Sequence, residues 1–159
     1  MLDYAYARHR MVEAHIARRG VRDERVLAAL RRVAHESFAD EGFEEFGYED
    51  SPLPIGSGQP FIAARMAEAA EIESSDRVLG TGSGYAAAIL AELASEVFTM
   101  ERHGELASEA ERRLRRSGYS NVTVKVGDGT LGWPEKAPFD AIVVAAGGPS
   151  VPVSLQVVM

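Results

Sequence analysis

The chain has 159 residues, 46 % of them apolar, and no cysteine. That length gives one domain with a sizeable core and leaves little for a second, and the missing thiols exclude disulfides, thiolate metal sites and a cysteine nucleophile. A formal charge of -7, from 24 acidic against 17 basic residues, argues against a dedicated nucleic-acid surface.

The opening MLDYAYARHRMVEAHIARRG is charged where an export signal would be apolar, so the cytoplasm is the expected compartment. No run has the length and apolarity of a membrane span. Residues 1 to about 20 carry apolar side chains at helical spacing, and Leu2, Tyr6, His9, Val12 and Ile16 can share one stripe, with Gly20 as the stop. Asp23 is placed to cap a second helix bearing Val26, Leu27, Leu30 and Val33. Residues 37–60 mix aromatics, acids, glycines and prolines without a period, which predicts a long structured loop. A helix returns from Phe61 to about Ala70.

The pattern then alternates. Strands are predicted from Arg77 into GTGSG, over Glu96–Met100, over Asn121–Val126 and over Asp140–Ala145. Helices are predicted over Tyr85–Ala94 and Glu105–Arg116. Strands separated by helices predict an α/β fold with a mostly parallel sheet flanked by helices. Phe139, Ile142, Val143 and Val144 read as sheet core, and Arg112, Arg113, Arg115 and Arg116 as the polar face of a helix. The closing VPVSLQVVM does not complete such a sheet, so the C-terminal part is expected to be incomplete.

The turn Gly80-Thr81-Gly82-Ser83-Gly84 lies between a strand and a helix. Its glycines allow a tight turn and a close ligand approach, and the following helix offers free N–H groups there. Neither a phosphate-loop lysine nor a clean dinucleotide fingerprint is present. Glu101, roughly 20 residues after the first glycine, is placed to accept hydrogen bonds from ribose hydroxyls. Asp128, in Gly127-Asp128-Gly129, sits at the same predicted sheet edge and can accept from an adenine amino group or merely shape an Asp-Gly turn. The four histidines have no ligand spacing, so no metal is expected. Trp133 reads as packing under a loop. Tyr4, Tyr6 and His9 read either as packing or as a lid over a cofactor, and His103 as a neighbour of Glu101.

Taken together, LPIGSGQP, GTGSGYAAAILAEL, the strand ending in MER, and SGYSNVTVKVGDGTLGWPEKAPFDAIVVAAG resemble the protein-L-isoaspartate O-methyltransferase family over about residues 8 to 156. The resemblance implies a Rossmann-like class I methyltransferase fold, with N-terminal helices and substrate-side loop over 1–60 and a cofactor-binding core over 61–159. It implies S-adenosylmethionine as methyl donor and, as acceptor, the free carboxylate of L-isoaspartyl residues in damaged proteins or peptides. Gly80, Gly82, Gly84, Glu101, Asp128 and Gly129 match the family's donor-binding positions. Ile55, Gly56 and Gln59 match the substrate-side loop, and Tyr48 and Asp50 its lead-in.

Three departures accompany the match. Gln59 meets Pro60 directly, without the family's Thr-Ile-Ser, so the catalytic residue is unassigned. Leu79 meets Gly80 directly, two residues early, which would draw the strand end in by roughly 6–7 Å. The third is the unfinished C-terminal end. A donor-binding domain without catalysis, and a class I methyltransferase for another small acceptor, are the alternatives.

Overall fold

A computed structural model of the chain describes residues 3–42, 44, 48, 60–81, 84–145 and 150–159. Of the sequence-predicted positions, Leu2, Asp50, Ile55, Gly56, Gln59 and Gly82 lie outside the described residues.

Helix α1 spans Tyr4–Met11 and runs on through a wider π turn, Val12–Ile16, and a 3-10 turn, Ala17–Arg19. Gly20 ends it at φ 106, a left-handed conformation that glycine adopts without a Cβ penalty. The buried face is Met11, Val12 and Ile16, with Tyr4 and Ala7 packed partly against the core. Tyr6, 63 % exposed, and His9 face solvent, so the predicted stripe is corrected. The π turn changes the residue count per turn, and a 3.6-residue register extrapolated back from Ile16 therefore points the wrong way.

Asp23 caps helix α2, Glu24–Arg32, by accepting from the Arg25 and Val26 N–H groups at 2.9 and 3.3 Å. Val26, Leu27, Ala29 and Leu30 form its buried face. A 3-10 turn, His35–Phe38, follows and overlaps the start of the predicted loop at residues 37 and 38. Helix α3, Pro60–Ala69, packs on α2. Its Glu68 reaches back to accept from the Arg22 and Asp23 N–H groups at 2.6 and 2.9 Å.

Hydrogen bonds from the Asp23 and Arg22 N–H groups hold the Glu68 carboxyl below its ordinary value. A depressed folded value means stability that is present above the unfolded pKa and lost as pH falls through the folded one. Wild type should therefore melt higher than Glu68→Gln at pH 7. The gap should close as thermal melts are repeated toward pH 3, and a gap independent of pH would refute the ionic contribution.

The sheet has the order β3-β2-β1-β4, with every neighbour parallel. The strands are β1, Arg77–Thr81; β2, Glu96–Glu101; β3, Val122–Val126; and β4, Ala141–Val143. Helix α4, Gly84–Leu93, joins β1 to β2, and α5, Gly104–Arg116, joins β2 to β3. A short helix α6, Val153–Gln156, lies near the C-terminus. Alternation along the strands divides two cores. Val78, Val97, Ala141 and Val143 join the helices in one cluster, while Leu79, Phe98 and Met100 join Trp133, Phe139, Leu155 and Val158 in the other. Trp133 packs edge-on to Phe98 at 5.6 Å, as the loop reading expects.

The shortened first strand is resolved by borrowing from the glycine turn. Gly80 pairs with Thr99 on one side and Val143 on the other, and Thr81 pairs with Met100. Gly80 is thus a strand residue rather than part of an open turn. β4 is shorter than predicted, and Val144 beyond it is 39 % exposed rather than core. Asp140 pins its start, donating its N–H to the Arg77 carbonyl at 2.8 Å and accepting from the Arg77 N–H at 2.8 Å.

Arg113 also departs from expectation. It donates to the Phe38 carbonyl at 2.7 Å and to Asp40 at 2.9 Å and is largely covered, while Arg112, Arg115 and Arg116 remain exposed. Its position beside buried Leu114 turns it toward the preceding loop, which a count of basic residues cannot show.

Candidate functional site

The sheet changes direction at β1, with β2 on one side and β4 on the other. In open parallel sheets, ligands bind outside the carboxyl ends of the strands at such a point. The register brings those ends together. Thr81 pairs with Met100, Glu101 pairs with Val126, and the Gly127 N–H donates to the Glu101 carbonyl at 2.9 Å. Glu101, Asp128 and Gly129 are therefore neighbours at one edge, with Gly84 opening α4 beside β1.

Glu101 is half-buried, and its Oε1 accepts from the His103 N–H at 3.1 Å. His103 thus touches Glu101 through its backbone, at the N-cap position of α5. Asp128 is exposed; its Oδ1 accepts from the Thr130 N–H at 2.9 Å and hydroxyl at 2.7 Å. Those two bonds, with Arg102 nearby, hold the Asp128 carboxyl below the usual aspartate value. The turn role of Asp128 is therefore present, and a ligand amino group would be left to Oδ2. Gly129 begins the 3-10 turn Gly129–Leu131.

The glycines have different surroundings. A Cβ on Gly84 would lie 3.2 Å from Phe38 Cδ1 and 3.3 Å from Ala110 Cβ, so this position must stay small for α4 to reach the loop and α5. A Cβ on Gly127 would sit 3.1 Å from Met100 Cε. At Gly80 the nearest atom, Leu90 Cδ1 at 3.4 Å, is ordinary contact.

A second group of polar residues lies behind α4. Tyr85, next to Gly84, is fully buried, its ring 4.0 Å from that of His35 and 6.2 Å from that of Phe38. Burial pushes its phenol up, and its hydroxyl has no hydrogen-bond partner among the described residues. Tyr48, 8 % exposed, lies 6.4 Å from His35 and 6.3 Å from Tyr4 by ring centroids. Of the three candidate lid residues only Tyr4 turns inward. Arg8 joins this group through Tyr48 and Glu36. Sequence reasoning missed Arg8, His35 and Glu36, because nothing local ties residues 8, 36, 48 and 85 together.

Among the described residues, no group of three or more His, Cys, Asp or Glu could hold a metal ion, and no helix is long and apolar enough to cross a membrane.

A parallel 3-2-1-4 sheet with an acid at the tip of β2 and a glycine-rich passage into α4 defines a Rossmann-like class I methyltransferase fold. A model of the protein-L-isoaspartate(D-aspartate) O-methyltransferase family matches residues 6–157, and the chain belongs to that family. Protein-L-isoaspartate O-methyltransferase 2 of Pelobacter propionicus is 56 % identical over 153 residues, covering 92 % of this chain and 68 % of that one. A solved protein-L-isoaspartate O-methyltransferase superposes with a TM-score of 0.84 at 27 % identity, covering 95 % of this chain and 51 % of that one. A Plasmodium falciparum structure of a protein described under the same activity, in complex with S-adenosyl-L-homocysteine, superposes at 0.76 and 20 % identity, covering 96 % of this chain and 79 % of that one, which shows a shared fold. The chain thus spans about two thirds of the Pelobacter relative and half of the first of these structures.

Proposed function

We propose that this protein transfers a methyl group from S-adenosylmethionine to the free carboxylate of L-isoaspartyl residues in damaged proteins or peptides, acting as a single domain in the cytoplasm. The observation that carries this reading is the meeting of Glu101, Asp128 and the N-terminus of α4 at one sheet edge, in a chain whose family match runs over residues 6–157.

The donor set suits an adenosyl ligand. Glu101, held by the His103 N–H, would accept from ribose hydroxyls, and Asp128 Oδ2 from the adenine amino group. The α4 N-terminus would favour the donor's carboxylate. When bound, S-adenosylmethionine supplies a methyl group already activated on a positive sulfur. An acceptor carboxylate is ionised at pH 7 and needs no general base. The protein's task is then to align the acceptor and keep water out. Closure of the methyl ester to a succinimide would follow without the enzyme.

The direct step from Gln59 to Pro60 favours a second reading, in which the donor binds without transfer, because the family's Thr-Ile-Ser hydroxyls are absent there. One assay separates these readings: an isoaspartyl peptide, its aspartyl twin and a small carboxylic acid, each incubated with methyl-labelled donor. Base-labile label on the isoaspartyl peptide alone is the expected result. Donor binding by calorimetry with no label on either peptide would establish the second reading, and label on a small acid alone would move the activity to another acceptor.

A further inference from the structure

We infer that Thr130 is a positioning residue for the methyl donor: it holds one oxygen of Asp128, so that the other is presented to the adenine amino group. The inference rests on the adenine role given to Asp128 above, and on the following geometry.

Both Thr130 donors converge on one atom. The N–H reaches Asp128 Oδ1 at 2.9 Å, and the hydroxyl reaches the same oxygen at 2.7 Å. Two donors on Oδ1 fix the plane of the carboxylate as well as its direction, and they leave Oδ2 to a ligand. The N–H bond is generic, since any residue but proline supplies it in a turn of this kind. The hydroxyl bond is particular to a serine or threonine, and the β-branch of Thr130 narrows the rotamers that the hydroxyl has to give up.

The backbone around Asp128 is set by other contacts. The Gly127 N–H donates to the Glu101 carbonyl at 2.9 Å, and a Cβ on Gly127 would lie 3.1 Å from Met100 Cε. On the other side the Leu131 N–H donates to the Asp128 carbonyl at 3.1 Å, and the turn Gly129–Leu131 lies against α6. What remains to be set is the Asp128 side chain, which is exposed. An exposed carboxylate without such donors samples several rotamers, and ordering it on binding would cost affinity.

Glu101 and Asp128 are spaced for one ligand. Glu101 pairs with Val126, two residues before Asp128, and adjacent strands lie about 4.8 Å apart. An adenosyl group with its ribose on Glu101 therefore lays its base toward the tip of β3. The Thr130 hydroxyl, then the Thr130 N–H, and after them Arg102, hold the Asp128 carboxyl below its ordinary value. An ionised carboxylate only accepts hydrogen bonds, so Oδ2 favours an amino group on the base and disfavours an oxo group.

The test measures binding of S-adenosylhomocysteine and of S-inosylhomocysteine, which has an oxo group in place of the amino group, to the full chain by calorimetry. Wild type should prefer the adenine compound by about tenfold, the low end for a hydrogen bond to a charged group. Thr130→Val keeps the shape and loses the hydroxyl. The preference should fall to about threefold, with affinity for the inosine compound changed less than about twofold. Thr130→Ser should restore most of it, and Asp128→Ala should abolish it.

NMR titration of the Asp128 carboxyl supplies a readout without ligand. The group should ionise at higher pH in Thr130→Val than in wild type, because the charged form has lost a donor, and close to wild type in Thr130→Ser. An unchanged titration, or equal losses for both compounds in Thr130→Val, would overturn the inference. A preference kept by Thr130→Val and abolished by Asp128→Ala would overturn it while leaving Asp128 its base. A preference that survives Asp128→Ala would remove the adenine role itself, and the inference with it.

Discussion

Glu101→Ala is expected to weaken S-adenosylmethionine binding by about 10- to 100-fold in calorimetry, the range set by losing a hydrogen bond to a charged group in a partly shielded site. The carboxylate is half-buried at the end of β2 and oriented by the His103 N–H at 3.1 Å, so it enters binding with little left to organise. The substitution spares the backbone bond in which the Glu101 carbonyl accepts from Gly127 at 2.9 Å. The melting temperature should therefore stay close to wild type, which separates a lost ligand contact from a lost fold. Asp128→Ala should weaken binding less, because Asp128 is exposed and Oδ1 already serves Thr130. A Glu101→Ala protein that binds the donor as tightly as wild type would remove the ribose role from this residue.

Tyr85→Ala should cost about 3–5 kcal/mol of unfolding free energy, the usual range for deleting a buried aromatic side chain and leaving a cavity. The ring is fully buried against His35 at 4.0 Å and Phe38 at 6.2 Å, where α4 meets the N-terminal helices. A loss of that size is a large part of an ordinary domain's margin of about 5–15 kcal/mol. Tyr85→Phe should behave in the opposite sense. Its hydroxyl is buried without a partner among the described residues, so removing it should leave stability unchanged or raise it by up to about 1 kcal/mol. Denaturant unfolding of the pair checks both statements. A Tyr85→Phe variant that loses more than about 1 kcal/mol would show that the hydroxyl is hydrogen-bonded in solution.

The elements that were legible in the sequence are those whose cause is local. Asp23 caps α2 because its side chain reaches N–H groups two and three residues on, and Gly20 stops the preceding turn because its φ is positive. The strand and helix alternation from Arg77 onward, and the placing of Glu101 and Asp128 at strand tips, follow from periods of 2 and 3.6 and from the turns between them. Where the local cause is ambiguous, the reading failed. The π turn at Val12–Ile16 moved the buried face of α1 away from Tyr6 and His9. Gly80 looked like the start of a turn and became a strand residue, because hydrogen bonding with β2 and β4 on both sides outweighs its freedom to turn.

By itself, then, the sequence determined the α/β class, the parallel sheet and the family, since these rest on periodicity, turn residues and motifs read along one stretch of chain. Only the tertiary structure decided which side chains meet across long separations: Arg8 with Tyr48 and Glu36, Arg113 with Phe38 and Asp40, Tyr85 with His35. The physical reason is that a buried charge or ring is satisfied by whichever group the packed elements bring within a few ångströms, and that group's distance along the chain leaves no local trace.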